Sequence, residues 1–191
     1  MELKAWSKRL DSIANVVVIG TCLLVCSLLV MRAAQARNEQ RVGLSALAPV
    51  FPVGFKPAQP AGIEYAASDF TVLVGLSSRC KYCAESMPML RTLAHEAGAQ
   101  KKMRVRLVAL ALEPLTSLTS YLQRNGLAEF LPNEIRVGSD LAPVAQRTPS
   151  IVLVDRSGSV VATWPGLVTE ERLNDVLEHL TQASALTPQQ K

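Results

Sequence analysis

The sequence predicts an α/β sandwich, with a central sheet flanked by helices and an antiparallel hairpin at one edge. Three segments support this prediction. Two consist of a buried strand followed by an amphipathic helix, beginning at Phe70 and Val105, and the third is a hairpin from Ile151 followed by a final helix. The predicted order is β-α-β-α-(short β)-β-β-α, in which helices cover a mixed sheet.

The first strand is the apolar run from Phe70 to Leu76, which is typical of a strand buried on both faces. The helix after Cys83 carries apolar residues at the i, i+3, i+4, i+7 spacing of a buried stripe and is predicted to stop at Gly98. The stripe comprises Leu90, Leu93, Ala94 and Ala97.

The second strand is predicted at Val105 to Leu112, and the helix after Pro114 is predicted to end at Asn125-Gly126. The apolar positions of this helix are Leu115, Leu118, Tyr121 and Leu122. A brief strand is expected near Ile135 to Val137.

The hairpin pairs Ile151–Asp155 with Val160–Trp164 across the turn Arg156-Ser157-Gly158. Thr169 is suited to cap the last helix. The apolar face of that helix is Leu173, Val176, Leu177 and Leu180.

The N-terminal region has a different character, because no charged residue occurs between Asp11 and Arg32. At about 1.5 Å per residue, an apolar helix over residues 13–31 spans about 30 Å of hydrocarbon. Ala34-Gln-Ala36 offers a signal-peptidase site, but the apolar run exceeds the length usual for signal peptides, which favours an uncleaved transmembrane anchor. Residues 1–12 then form a cytoplasmic tail, and the long C-terminal part is expected outside the cytoplasm, since long domains cross largely regardless of charge.

Four prolines in residues 32–60 predict an extended tether between anchor and domain. These are Pro49, Pro52, Pro57 and Pro60. A short edge strand is expected near Glu64 to Ala66. Residues 61–185 form the predicted globular domain, and residues 186–191 a flexible tail.

Composition argues against nucleic acid as a partner. The net charge of the 191 residues is +4, but the basic residues are scattered, and aromatic residues make up only 5% of the chain. One cluster, Lys101 to Arg106, alternates charged and apolar residues as the exposed face of a strand does.

Cys80 and Cys83 lie where the first strand gives way to the helix, which predicts that Cys80 sits near a helix N-terminus. Unpaired backbone N–H groups and the helix dipole favour a thiolate there, and the flanking Arg79 and Lys81 add positive charge. These effects lower the pKa of Cys80 and make it a candidate nucleophile, while Cys83, nearly one turn later, suits a buried resolving thiol.

The cysteine pair is compatible with other interpretations. Zinc needs two more ligands, but Cys22 and Cys26 lie in the apolar segment, and His95 and His179 stand alone in predicted helices, so no metal is expected. Two inert buried thiols, or a non-catalytic adaptor or Cu(I) metallochaperone, remain open. A peroxidase is a further alternative, because Ser77-Ser-Arg-Cys80 has the Ser/Thr-x-x-Cys spacing of peroxiredoxins, although Leu73 stands where they have proline.

Three features together resemble the thioredoxin superfamily, and within it the membrane-anchored TlpA/ResA-like oxidoreductases. They are Cys80-Lys-Tyr-Cys83 after a buried strand, Pro88 in the following helix, and Thr148-Pro149 before the hairpin. The resemblance implies a thioredoxin-like fold with an inserted strand and helix, a kink at Pro88, and a cis Pro149 facing the cysteines. By the same resemblance, Thr148 offers backbone hydrogen bonds to an extended protein substrate.

The resemblance also implies a thiol-disulfide oxidoreductase of the inner membrane that needs no cofactor, acts on thiols or disulfides of proteins in the periplasm, and exchanges electrons with a membrane redox partner. Two departures affect the direction of exchange. Arg79 replaces the usual tryptophan, and Lys81-Tyr82 replaces a pair containing proline. Positive charge near Cys80 favours the reduced form and an oxidising disulfide, whereas many members of the family act as reductants.

Overall fold

The computed structural model describes residues 48–100 and 103–186, together with Ser27. The sheet and its helices belong to the second of two units into which the chain divides, Met1–Ala46 and Leu47–Lys191. The strands are β1 (Phe70–Gly75), β2 (Val105–Ala111), β3 (Leu131–Glu134), β4 (Ser150–Asp155) and β5 (Val160–Pro165). The helices are α1 (Lys81–Ala99), α2 (Leu115–Arg124), α3 (Ala142–Gln146) and α4 (Glu170–Leu186).

The strands form one five-stranded mixed sheet in the order β3-β2-β1-β4-β5. The central strand β1 is parallel to β2 and antiparallel to β4, with Val74 opposite Ala109 on one side and Ile151 on the other. β3 continues the sheet parallel to β2, and β5 forms the antiparallel hairpin with β4. The predicted α/β architecture with a hairpin at one edge is confirmed.

Each face of the sheet carries its own apolar core, because successive residues of a strand point to opposite faces. On the first face, Val72 and Val74 pack with residues of α1, α2 and α4. On the second face, Leu73 and Val108 pack with α3 and with the segment before β1. Both faces of β1 are therefore covered, as its unbroken apolar run predicts.

The segment before β1 packs on the domain. Val50 and Phe51, which fall in the range predicted as tether, are buried in the second core together with Ile63 and Tyr65. The Tyr65 hydroxyl donates a hydrogen bond to the Ala58 carbonyl at 3.0 Å. The expected edge strand at Glu64 to Ala66 is wrong, because this stretch instead forms a short 3₁₀ helix at Tyr65–Ala67.

Two elements beyond β2 differ from the sequence prediction. The short strand is β3, Leu131–Glu134, and lies before the expected Ile135 to Val137; Pro132 is tolerated because β3 is an edge strand. Helix α3, which the sequence did not predict, is a single turn of five residues that buries Val144 against the second face.

α3 approaches β1 so closely that only glycine fits at position 75. A Cβ atom on Gly75 would lie 2.0 Å from the Val144 carbonyl oxygen, which also accepts a hydrogen bond from the Ser150 hydroxyl at 2.9 Å. The chain passes directly from this contact into Thr148-Pro149, so the contact fixes where that loop lies.

No helix in the described ranges is long and apolar enough to cross a membrane. Apart from Ser27, the predicted anchor at residues 13–31 lies outside the described residues, as do residues 187–191 of the predicted tail.

Replacing Gly75 with alanine should lower the free energy of unfolding by about 2–3 kcal/mol, because the new methyl group meets a backbone carbonyl that can move only with α3. Chemical denaturation measures this loss. Gly98→Ala is the matched control: Gly98 lies in α1 with open space around it, so the same change there should stabilise by about 0.5 kcal/mol. Equal effects at the two positions would contradict the proposed close approach.

Candidate active site

Cys80 is the N-cap residue of α1, as its position after β1 predicted. Its sulfur accepts a hydrogen bond from the backbone N–H of Cys83 at 3.3 Å, and its own N–H donates to the Ser77 carbonyl at 3.2 Å. The sulfur therefore takes the capping position where the first turn of a helix presents free N–H groups.

The loop before β4 comes from a distant part of the chain to face the same sulfur. The Cys80 thiol donates to the Thr148 carbonyl at 3.4 Å, and the Thr148–Pro149 peptide bond is cis, as the resemblance implies. The structure thus brings Cys80, Cys83, Thr148 and Pro149 together at one end of the sheet.

The pKa of Cys80 is lowered from its ordinary value. Partial burial opposes ionisation, but it is outweighed by hydrogen bonds from the side chains of Cys83 and Thr148 and from the backbone of Cys83 and Tyr82. Arg79 and Lys81 are exposed and, within the described part of the chain, are not among the causes of the lowered Cys80 pKa. The Lys81 ammonium group instead lies 3.7 Å from the Glu85 carboxylate. The pKa-tuning role of Arg79 and Lys81 stays a prediction.

Cys83 lies in the opposite environment. Its side chain is fully buried in the first core, and burial, followed by its hydrogen bond with Cys80, raises its pKa to about 12. Both thiols are free. The pair therefore combines a half-buried sulfur that ionises readily with a buried sulfur that keeps its proton.

Buried contacts hold α1 in place beneath the pair. The Ser86 hydroxyl donates to the Tyr82 carbonyl at 2.8 Å and accepts from the N–H of Val168 at 3.0 Å, which ties α1 to the chain entering α4. Pro88 lies inside α1, where it lacks the N–H that would bond to the Ala84 carbonyl. The first turns of α1 are thereby positioned by side-chain contacts as well as by the helix ladder.

Glu113 belongs to the site, although no local sequence pattern singles it out. Its carboxylate accepts hydrogen bonds from the backbone N–H of Ser78 at 2.7 Å and from the Ser78 hydroxyl at 2.5 Å. Glu113 thus ties the turn between β2 and α2 to the loop two residues before Cys80. A contact between residues this far apart in the chain leaves no local signal in the sequence.

Tyr121 was identified only as an apolar position of α2, but its hydroxyl is the unusual feature. The hydroxyl is buried and has no hydrogen-bond partner among the described residues. Burial, and then negative charge on Cys83, Cys80 and Glu113, raise the pKa of Tyr121 to about 12. The Tyr121 hydroxyl therefore keeps its proton and is a buried donor without a partner among the described residues.

A groove of about 520 Å³ opens next to the active-site loop. Ser77, Arg79, Leu112, Glu113, Ala145 and Thr148 contribute to its lining. The groove lies between the loop before α1, the turn after β2 and the loop before β4, and two of its lining residues, Arg79 and Thr148, adjoin or contact Cys80.

No group of three or more His, Cys, Asp or Glu residues that could hold a metal ion occurs within residues 48–100 and 103–186. On α4, the Nδ1 atom of His179 lies 3.1 Å from the Oδ1 atom of Asp175. The His179 ring packs edge-on against Trp164. Cys22 and Cys26 lie outside the described residues.

Comparison with known proteins identifies the family. The thioredoxin-like domain family matches residues 61–181, which is most of the chain. This protein belongs to the thioredoxin-like family. No curated protein sequence matches the chain.

Several solved structures share the fold of this thioredoxin-like protein. A protein from Chlorobium tepidum, described as thiol:disulfide interchange protein DsbE, has a TM-score of 0.56 at 18% identity, with 70% of this chain and 99% of that chain covered. One from Bacteroides thetaiotaomicron, described as a protein disulfide isomerase, has a TM-score of 0.54 at 19% identity, covering 73% and 94%. A thiol:disulfide interchange protein from Bacteroides sp. has a TM-score of 0.52 at 14% identity, covering 73% and 95%.

Cys80 and Cys83 should react with iodoacetamide over different ranges of pH. Cys80 should reach half-maximal reactivity below the pH of an ordinary thiol, because hydrogen bonds favour its thiolate, and Cys83 should react only as the pH approaches about 12. Peptide-resolved mass spectrometry measures each residue separately from Cys22 and Cys26. Equal midpoints for Cys80 and Cys83 would rule out the asymmetry.

Proposed function

We propose that this protein is a thiol-disulfide oxidoreductase that exchanges disulfides with partner proteins through Cys80 and Cys83. The observation that carries the proposal is the asymmetry of the two sulfurs. Cys80 caps α1 and has a lowered pKa, while Cys83 is fully buried and has a raised one. A nucleophilic thiolate beside a protected second thiol is the arrangement that two-step exchange requires.

In the first step, the Cys80 thiolate attacks one sulfur of a substrate disulfide. A bond forms between Cys80 and that sulfur, and the other substrate sulfur leaves as a thiolate that takes up a proton. In the second step, Cys83 loses its proton and attacks Cys80, the mixed disulfide breaks, and the second substrate sulfur leaves and is protonated. The substrate gains two electrons and two protons, and the enzyme disulfide closes; the reverse sequence oxidises a dithiol.

The groove next to the active-site loop supports a protein as substrate. The Thr148 backbone faces the reactive sulfur, and the lining includes the exposed Arg79 and the half-exposed Leu112. An extended peptide could bond to the backbone at Thr148 while its cysteine lies against Cys80. No cofactor enters this chemistry, since the electrons pass between sulfur atoms.

Replacing Cys83 with alanine should trap mixed disulfides, because Cys80 can still attack but nothing resolves the product. Non-reducing electrophoresis of cells expressing Cys83→Ala should show adducts that reductant removes. Cys80→Ala is the matched control and should trap none. Adducts that persist in the Cys80→Ala protein, or their absence from the Cys83→Ala protein, would contradict the assigned roles.

We further propose that residues 13–31 anchor the protein in the inner membrane with the domain in the periplasm, where it meets its substrates and a membrane redox partner. The support is the uncharged run between Asp11 and Arg32. Such a location suits disulfide exchange, because disulfides form and persist in oxidising compartments.

The full chain should stay with membranes through an alkaline carbonate wash, and protease added to spheroplasts should digest the domain. The substitutions Leu23→Arg and Leu24→Arg should release the protein from the membrane, because each arginine at the centre of a membrane helix costs about 2.5–3.5 kcal/mol of insertion free energy. A mature protein shortened by the mass of its first 34–36 residues would show a cleaved signal peptide instead.

A further inference from the structure

Arg147 ties the loop that faces Cys80 to a segment far earlier in the chain. It directly precedes Thr148, and its Nη1 group donates hydrogen bonds to the Ala48 carbonyl at 3.1 Å and to the Pro49 carbonyl at 3.4 Å. These bonds join two parts of the molecule that the sheet does not connect directly.

Residues 48–55 form a strap that is itself fixed to the domain. Val50 and Phe51 are buried in the second core, which also contains residues of α3. Further along the strap, two backbone hydrogen bonds of 2.8 Å join it to Val160 at the start of β5. The two carbonyls that Arg147 contacts therefore belong to a segment with a defined position on the domain.

The backbone on either side of Thr148 is held by two hydrogen bonds. The Arg147 N–H bonds back to the last turn of α3 at 3.3 Å, and the Pro149 carbonyl accepts from the Gly166 N–H at 2.8 Å. Thr148 lies between these attachments, with its carbonyl 3.4 Å from the Cys80 sulfur. The Arg147 side chain adds a third attachment, which reaches beyond the loop to the strap.

A second arginine makes the same kind of contact at the opposite end of the sheet. The Nε group of Arg156 donates to the Ala66 carbonyl at 3.2 Å. Because β4 begins beside the active-site loop and ends at Asp155, Arg156 lies a full strand length from that loop. Of these two arginines, only Arg147 adjoins the residue that faces Cys80.

We propose that Arg147 is a positioning residue that, through its bonds to the strap, holds the Thr148 backbone where a peptide substrate of Cys80 bonds to it. This inference rests on the proposed function. None of the described residues of the strap lines the groove, whereas Ala145 and Thr148 do, so the strap supports the binding surface from behind. Loss of the Arg147 side chain leaves both cysteines in place, and we therefore expect it to weaken peptide binding more than the reaction of the sulfur.

The test compares two substrates with the same leaving group, in the full chain with Cys22→Ala and Cys26→Ala to leave only the active-site pair. One is dithionitrobenzoate, which has no peptide backbone. The other is a short peptide without acidic residues, so that it cannot form an ion pair with Arg147, whose single cysteine is joined to thionitrobenzoate by a disulfide. In both, the Cys80 thiolate bonds to one sulfur and the other leaves as coloured thionitrobenzoate.

In Arg147→Ala, the peptide concentration that gives half the maximal rate should rise about fivefold, as expected for loss of about one backbone hydrogen bond. The maximal rate with the peptide and the rate with dithionitrobenzoate should stay close to those of the parent. Arg147→Lys should restore most of the peptide binding, because both bonds to the strap come from one nitrogen, which an ammonium group can replace.

Arg156→Ala is the matched control, because it removes a bond from a guanidinium group to a carbonyl far from the active-site loop. It should leave the reactions with both substrates unchanged. An unchanged peptide curve in Arg147→Ala, an equal loss with both substrates, or the same loss in Arg156→Ala overturns the inference. If neither substrate reacts with the parent protein, the proposed function itself is wrong.

Discussion

The hydrogen bond from the Cys83 backbone N–H to the Cys80 sulfur is the interaction on which the site depends. It exists because Cys80 is the N-cap of α1, so that the sulfur stands where a serine or aspartate oxygen commonly caps a helix. A cap bond is stronger to a charged acceptor, so the same contact that begins the helix also favours the thiolate. Local folding and thiol reactivity are thus set by one geometry.

That geometry requires the sheet to deliver two loops to one place. β1 leads into Cys80 and β4 begins just after Pro149; because they are antiparallel neighbours, with Gly75 opposite Ser150, the end of one meets the start of the other. The close approach of α3 at Gly75 fixes the second loop from behind. The distance between Cys80 and Thr148 is therefore a property of the core, and not of the loops alone.

The sequence predicted what local patterns determine. Continuous apolar runs marked β1 and β2, and the spacing of Leu90, Leu93, Ala94 and Ala97 marked α1. It missed α3, because a single turn is too short for a helical period to appear, and it misplaced the strand that became β3, because Pro132 argues locally against a strand that its edge position permits. Within the site, the cysteines, Thr148 and Pro149 followed from motif and resemblance, whereas the place of Glu113 depends on its contact with Ser78, a residue from a distant segment of the chain.

The hydrogen bonds at Cys80 depend on the fold, whereas the charges predicted to act on it are its neighbours in sequence. Arg79 and Lys81 adjoin Cys80 in sequence, but both are exposed, where water screens their charge, and Lys81 faces Glu85. The hydrogen bonds that lower the pKa of Cys80 come from groups whose positions depend on the start of α1 and the loop at Thr148. Directed contacts formed by the fold therefore govern the first sulfur, and the apolar core governs the second. Thr148 belongs to both settings, because it lines the groove and also contributes to the pKa of each sulfur, so the surface that would meet a substrate and the asymmetry of the pair are built from shared residues.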